Sequence, residues 1–281
     1  MISEYSDKYI DRGFLMLAPD GAAIPRAFRR VRDDEDQHFH LLGQMQRLRG
    51  KIYLQDGAIS ESQLDSQGRH RDDDDPQSWH LLRMRPDGSV SGCARILVHS
   101  ESVAYPQLRV ASSALAKCKT WGRSLQSSME TEIRRARQSG KALVEPGGWA
   151  LAEDLRGSTE ALSIVVGALA WAQLVGGCVG FMTATVRHGS SSILRRLGGS
   201  PVNLDGRPAP AYFDPAYGCD MELLRFDSNA LNPRFGGALE NMRQLLMGTP
   251  VIATGTPAYA NVPGITALPA YGPMPAIRVA A

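Results

Sequence analysis

Apolar and polar positions fall into blocks along the chain, and the longest apolar block lies within 141–199. Inside it, 142–152 reads as a strand interrupted by Gly147 and Gly148, the mark of a bulge or a close backbone approach. A turn follows, Glu153-Asp154-Leu155-Arg156-Gly157-Ser158. Residues 159–175 are nearly all apolar, which predicts a helix buried on most sides. Gly176-Gly177 stops it. Residues 178–186, rich in Val, Phe, Met and Thr, predict a short, fully buried strand, and a short basic helix closes the block before Gly199.

Outside this block the pattern is looser. A strand is expected at 14–18, and 24–32 alternates basic and apolar residues as a strand or a helix start. Residues 34–49 predict a helix with Phe39, Leu42, Met45 and Leu48 on one face, and Arg47, Arg49 and Lys51 at an end that suits the helix dipole. The strongly polar 60–77 reads as a surface loop. Strands at 79–85 and 89–98 form a hairpin across Pro86-Asp87-Gly88. Ser112 or Ser113 caps a long helix ending near Ser139-Gly140, weakened by its interior Gly122. A Pro-rich loop, a strand at 219–226 and a helix at 238–247 complete the core. Residues 248–281 are dominated by Pro, Gly, Ala and Thr and read as a tail, extended or draped over the domain, that buries no core. The expected organisation is one domain, 1–247, and a tail, 248–281, with no internal repeat.

Composition narrows the class. The chain has 281 residues, 43% of them hydrophobic and 21% charged, an ordinary globular mixture. A net charge of +2 leaves no electrostatic footprint for nucleic acid or an acidic membrane. No charge falls between 161 and 186, long enough for a membrane span, but Gln173, the paired glycines and the β-favouring residues after them argue against one. The polar start, 1–11, is no signal peptide. The 4 cysteines are scattered without a C-x-x-C pair, which fits a reducing, cytoplasmic location and indicates neither a zinc site nor a disulfide framework.

Candidate chemistry gathers at a few positions. Arg156, Gly157 and Ser158 precede a helix N-terminus, where free N–H groups favour a phosphate; the plainer reading is a turn with Ser158 as N-cap. Neither Gly-x-Gly-x-x-Gly nor Gly-x-x-x-x-Gly-Lys is present. Arg95, a charge in mid-strand, needs a partner: an acceptor carboxylate, or an ion pair with Glu145 or Asp65. The run from Asp72 to Asp75, with His70 and His80, suggests a cation site or, more simply, a solvated loop. His188 beside Ser190 suggests nucleophilic catalysis, but without a G-x-S-x-G elbow it reads as a lead into a helix cap. Trp79, Trp121, Trp149 and Trp171 read as core or pocket lining.

The order of elements resembles that of the GCN5-related N-acetyltransferase (GNAT) superfamily. Three features are similar to its branch of acyl-homoserine-lactone synthases and long-chain N-acyl amino acid synthases. They are Gly92-Cys93-Ala94-Arg95-Ile96-Leu97, against that branch's G-C-x-R-L-L; Asp65 with Gly68-Arg69 and the acidic run; and Glu145 on the organising strand. The resemblance implies an α/β fold with a mixed, mostly antiparallel sheet flanked by helices. It implies an N-acyltransferase moving a medium or long acyl chain from acyl-CoA or acyl carrier protein, as co-substrate rather than tightly bound cofactor, to an amino acid or similar small amine. On this reading Glu145 takes the amine proton and Ser190 stands among the hydroxyls of the last short helix. Trp149, Ala150 and Leu151 after the bulge, with Arg156, Gly157 and Ser158, hold the donor; Arg95, Asp65 and Phe181 meet substrate. An apolar slot lined by 162–171 and Phe181 takes the acyl chain. Glu145 as a mere partner charge stays open. The chain departs from the family in three places: the Arg156-to-glycine spacing differs, Gly148 stands where lactone synthases carry Arg, and 187–199 has no Tyr. The rival reading is a non-catalytic acyl-lipid or acyl-carrier-binding module on a degenerate GNAT fold; a third is an acetyl-specific enzyme with a protein acceptor.

Overall fold

The structure, a computed structural model, describes residues 13–187 and 189–260. The readings placed on 1–11, on His188 and on 261–281 therefore lie outside the described residues. Three short strands open the fold, β1 (Phe14–Leu17), β2 (Ala23–Pro25) and β3 (Arg30–Asp33), followed by helix α1 (Glu35–Gln55). The hairpin β4 (Ser78–Met84) and β5 (Val90–Val98) leads to α2 (Ala114–Lys117), α3 (Gly122–Gln138) and β6 (Ala142–Leu151). Then come α4 (Glu160–Leu174), β7 (Cys178–Thr185) and α5 (Ser190–Leu197). Four very short strands, β8 (Ser200–Pro201), β9 (Asn203–Leu204), β10 (Arg207–Pro208) and β11 (Tyr212–Asp214), precede the long β12 (Cys219–Asp227). Helix α6 (Gly236–Met247), β13 (Pro250–Ala253) and β14 (Ala258–Ala260) end the described chain.

The central sheet runs β11-β12-β7-β6-β5-β4-β1-β13-β3, with β8 also on β12. Most neighbours are antiparallel; β6 with β7, β1 with β13 and β13 with β3 are parallel. This is the GNAT-like mixed sheet flanked by helices. Helices cover both faces, so β4 and β5 are buried almost without alternation. One face packs on α4 and α6 through Leu81, Ile96, Ile164 and Leu246, all almost wholly buried. The other packs on α1 through Leu82 and Met45, and on α3 through Leu125 and Met129.

Several expectations are corrected. Helix α1 runs on to Gln55, and its buried stripe is Leu41, Leu42, Met45 and Ile52; Phe39 is 56% exposed. Arg49 consequently lies inside the buried stripe, not at the helix end, and no basic residue occupies the last turn. The long helix expected after Ser112 or Ser113 is two. Ser113 caps only α2, accepting from the Ala116 N–H at 3.1 Å, and Gly122 starts α3 because a Cβ there would stand 2.3 Å from the Ala116 carbonyl oxygen. The stretch read as a coreless tail from 248 contributes β13, whose residues Pro250, Val251, Ile252 and Ala253 are all buried between β1 and β3. Composition hid it: a four-residue apolar run is too short to stand out among Pro, Gly and Ala. Among the described residues no helix is long and apolar enough to cross a membrane.

Candidate active site

Strands β6 and β7 pair at Ala142↔Cys178, Leu143↔Val179 and Val144↔Gly180 and no further, although both continue. Pro146 explains where the ladder stops. Ile96 stands opposite Pro146 without interrupting the β5 ladder, so the proline nitrogen faces β7, where it has no N–H to give. Gly180 leaves room beside it: a Cβ there would lie 3.2 Å from Val144 Cγ2 and 3.6 Å from Pro146 Cδ. Beyond this point the two strands separate, and half of the β6 peptides face an edge without a strand partner. On its other side β6 carries one residue more than β5 between Cys93↔Ala150 and Arg95↔Gly147, with Gly148 at φ +61°. That is the bulge the paired glycines predict. The pair also makes space for charge, since a Cβ on Gly148 would stand 3.1 Å from Arg95 Cβ and 3.4 Å from Arg49 Nη1.

The gap between the strands has an apolar slot on its α4 face. Pro146, Val144, Gly180 and Met182 form its strand side, Val165, Leu169 and Trp171 its helix side, and Leu194 and Phe226 close its flank. Phe181 does not line it. Alternation along β7 turns Phe181 to the opposite face, among the residues that pack on α3. Cys178 lines the deep end with its thiol pushed up to about 12 by burial, too weak an acid to act as a nucleophile.

The opposite face carries charge. Asp75 receives Arg49 through two hydrogen bonds, of 2.8 and 2.6 Å, and Gln46 through one of 2.9 Å; the side chains of Arg49 and Asp75 are each 1% exposed. Arg95 Nη1 lies 2.7 Å from Asp72 Oδ2. The contact is off the donor axis, so neither this nitrogen nor Nε makes an aligned hydrogen bond. Arg109 spans Asp72, at 3.0 Å to each oxygen, and Asp74. Burial alone would raise the carboxyls of Asp72 and Asp75; Arg95 and Arg109 on the first, and Arg49 on the second, outweigh it and hold both below the usual range. Burial pushes the Tyr53 and Tyr217 phenols up beside the same arginines. The acidic run is therefore a partner set for three guanidinium groups, not a solvated loop. Among the described residues no group of acidic, His or Cys side chains is arranged to hold a metal ion.

Glu145 lies at the apex of the gap, on the charged face, and its carboxylate accepts three hydrogen bonds. It accepts from the Arg109 N–H at 2.7 Å, the Val110 N–H at 2.9 Å and His99 Nε2 at 2.7 Å. It thus anchors the short 3-10 turn Arg109–Ser112, the partner-charge role left open by the sequence. Asp65 folds its own loop, accepting from the Gln67 and Arg69 N–H groups and from Arg69 Nε, and pairing with Arg71 at 3.0 Å. Burial would raise its carboxyl, but these bonds hold it at about 2.

The expected donor loop is a closed turn. Arg156 is bound through one nitrogen to both oxygens of Asp56, at 2.9 Å each. Gly157 takes φ +75°, and the Ser158 hydroxyl accepts from the Glu160 N–H at 3.2 Å. The plainer reading, a turn, describes this geometry, but the N-cap of α4 is Thr159 rather than Ser158, and no side chain makes the capping bond. Trp149 packs against the α4-side core, and Ala150 and Leu151 are buried in the separated part of β6. The Ser190 hydroxyl accepts from the Thr185 hydroxyl, at 3.4 Å. Its neighbour Ser191 instead donates to Glu222, which also holds Arg195 at 2.8 Å.

Sequence reasoning missed Pro146, the Arg49–Asp75 pair and His99. A proline inside an otherwise regular strand signals an edge or a break in pairing, and an arginine four residues after a buried methionine signals a charge inside a helix's apolar stripe. Nothing in the sequence marks His99.

No protein-family model matches the chain, and no curated protein matches it. Solved structures do. The CoA-dependent acyl-homoserine lactone synthase BjaI, solved with SAM and isopentyl-CoA, is similar over 87% of this chain and 95% of its own, at 15% identity and a TM-score of 0.48. A second CoA-dependent acyl-homoserine lactone synthase, MesI, is similar over 86% of this chain and 100% of its own, at 17% identity and a TM-score of 0.46. FeeM, an N-acyl amino acid synthase from uncultured soil microbes, is similar over 71% of this chain and 90% of its own, at 14% identity and a TM-score of 0.43.

Proposed function

We propose that the chain is an N-acyltransferase that takes a medium or long acyl chain from a thioester, acyl-CoA or acyl carrier protein, and joins it to the amine of an amino acid or similar small molecule. The observation that carries this reading is the gap opened by Pro146 between β6 and β7. It links an apolar slot on one face with a buried arginine network on the other. The acyl chain enters the slot, where burying each methylene is worth about 0.8 kcal/mol. The acceptor binds from the charged face, its carboxylate meeting the Arg95 donors that lack aligned partners.

At the junction the amine nitrogen attacks the thioester carbonyl. A C–N bond forms, the C–S bond breaks and the thiolate leaves with its electron pair; the amine's proton passes to water. Unpaired N–H groups along the separated edge of β6 face the carbonyl oxygen as it gains charge. Glu145 accepts two backbone N–H groups of the Arg109–Ser112 turn, so its part is to position Arg109. A Glu145→Gln variant that lowers acceptor affinity at unchanged pH dependence supports positioning; loss of the acidic limb from the pH profile supports proton transfer.

A second reading, a binding module without chemistry, is favoured by the closed Arg156–Asp56 turn. Mass spectrometry of the purified protein and of its host's solvent extract separates the two. N-acyl amino acids absent from an empty-vector control support the enzyme, and bound acyl thioester without any amide supports the module.

A further inference from the structure

Three positions of β7 face the slot in succession, Cys178, Gly180 and Met182, and the middle one has no side chain. Gly180 pairs directly with Val144 on β6 and with Phe226 on β12. Both of these side chains line the slot. The sheet therefore forms a trough at this level, with Val144 and Phe226 as its banks and the bare Gly180 peptide as its bed. The backbone does not call for glycine here, because φ lies outside the left-handed region. What the position lacks is bulk between the strands, where a Cβ would stand 3.2 Å from Val144 Cγ2 and 3.6 Å from Pro146 Cδ. Over the trough lie Val165, Ala168, Leu169 and Ala172 of α4, spaced as one face of a helix. Two of the four are alanine. The space enclosed at rest is about 30 Å³, room for roughly two water-sized groups. A chain that goes deep must therefore follow the line where no side chain stands, while Met182, half-buried at the mouth and flexible, yields to it.

We propose that Gly180 is the residue that sets which acyl chains the slot accepts. Its missing side chain is the passage by which a chain continues past its first few carbons toward Cys178. The inference rests on the acyl reading and assigns length selection to one position. Val144, the partner of Gly180, is two residues below Pro146, so the passage lies roughly 7 Å below the point where the strands part. A butanoyl chain with its carbonyl at that point ends above Gly180, and a decanoyl chain runs past it.

A Gly180→Ala variant adds one methyl group to the bed of the trough. The probes are butanoyl- and decanoyl-pantetheine, with affinities measured by calorimetry and folding checked by urea unfolding. The expected result is a fall of roughly tenfold or more in the ratio of decanoyl to butanoyl affinity, since each methylene kept out of an apolar slot forfeits about fourfold. Ala168→Leu narrows the same passage from α4 without touching the sheet and is expected to lower the ratio likewise, so the test does not depend on Gly180→Ala tolerating its contact with Val144. An unchanged ratio in folded Gly180→Ala, or in Ala168→Leu if the first variant does not fold, overturns the assignment of Gly180 and leaves the acyl reading standing. Folded wild-type protein that binds neither chain, or binds decanoyl no more tightly than butanoyl, overturns the acyl reading and this inference with it.

Discussion

Replacing Asp75 by Asn removes one charge from a pair that has almost no contact with water. Arg49 and Asp75 are each 1% exposed at the side chain, and both Asp75 oxygens are taken, by Arg49 on each side, by Gln46 and by the Asp72 N–H at 3.2 Å. Asn keeps the shape but turns an NH₂ group toward one of these donors, and it leaves the guanidinium with one neutral amide oxygen and the His70 carbonyl, at 2.5 Å, and no countercharge. Breaking a buried pair from one side costs about 3–5 kcal/mol, a large share of the roughly 5–15 kcal/mol that stabilises a typical domain. At roughly 2–4 °C per kcal/mol for larger domains, the melting temperature falls by about 6–20 °C. The assay is urea unfolding at pH 7 and then down a pH series. Asp75 has its carboxyl held below the ordinary value, so its contribution is complete above about pH 4. It is lost as pH falls through the lower folded value. The gap between wild type and Asp75→Asn is therefore constant from neutral pH to about pH 5 and narrows below. A neutral-pH loss under about 1 kcal/mol with an unchanged urea slope would refute the reasoning. A double variant Arg49→Met, Asp75→Leu more stable than Asp75→Asn would support it, since both charges leave together and only the neutral Gln46 amide, Asp72 N–H and His70 carbonyl lose a partner.

Three further outcomes are expected. His80 is wholly buried, and burial lowers it from 6.5 to about 4; the unfolded chain takes up its proton first, so stability is full above about pH 6.5 and falls by about 3 kcal/mol as pH drops to about 4. Urea midpoints across that window check this, and His80→Gln should flatten the slope. Pro146→Val restores a donor on the edge facing β7, so the parallel ladder lengthens, amide exchange slows at 181–183 and acyl-pantetheine affinity drops; unchanged exchange there would show that the proline does not hold the gap open. Ending the chain after Met247 removes Val251 and Ile252, both fully buried, at about 1.5–3 kcal/mol each, plus a strand of ladder. Circular dichroism should then show a cooperative melt lost or shifted well below that of the longer chain.

Much of the fold was legible because its strongest signals are local. The hairpin turn at Pro86-Asp87-Gly88, the glycine bulge on β6 and the glycine stop after α4 each follow from backbone preferences that no distant residue overrides. The candidate site was legible in its parts and less so in its grouping. Arg95 announced that it needs a partner, but Glu145 and Asp65 are both spoken for elsewhere, and the partner came from Asp72 in a loop that looked solvated. Phe181 was expected in the slot on the family resemblance, whereas the two-residue period of β7 sends Gly180 and Met182 there instead. The Gly92–Leu97 hexapeptide shows why such a motif carries information. A Cβ on Gly92 would meet Ile164 Cδ1 at 2.6 Å, Cys93 is fully buried beneath α1, Arg95 enters the network and Ile96 lines the slot. Each side chain answers to a different neighbour, so none is free to vary alone.

The position of β13 bears on how the chain reaches this state. Met16 pairs with Val251, and Val251 with Val31, so two early strands are joined only by a strand made near the end of the described chain. Until that strand arrives, β1 and β3 each present an open edge, and the hairpin and the β6–α4–β7 unit must wait with one flank unfinished. Contacts this distant in sequence slow folding, and they leave exposed edges that attract other chains. Conditions or partners that shield those edges during synthesis should therefore govern yield more than any change in the slot or in the charged network.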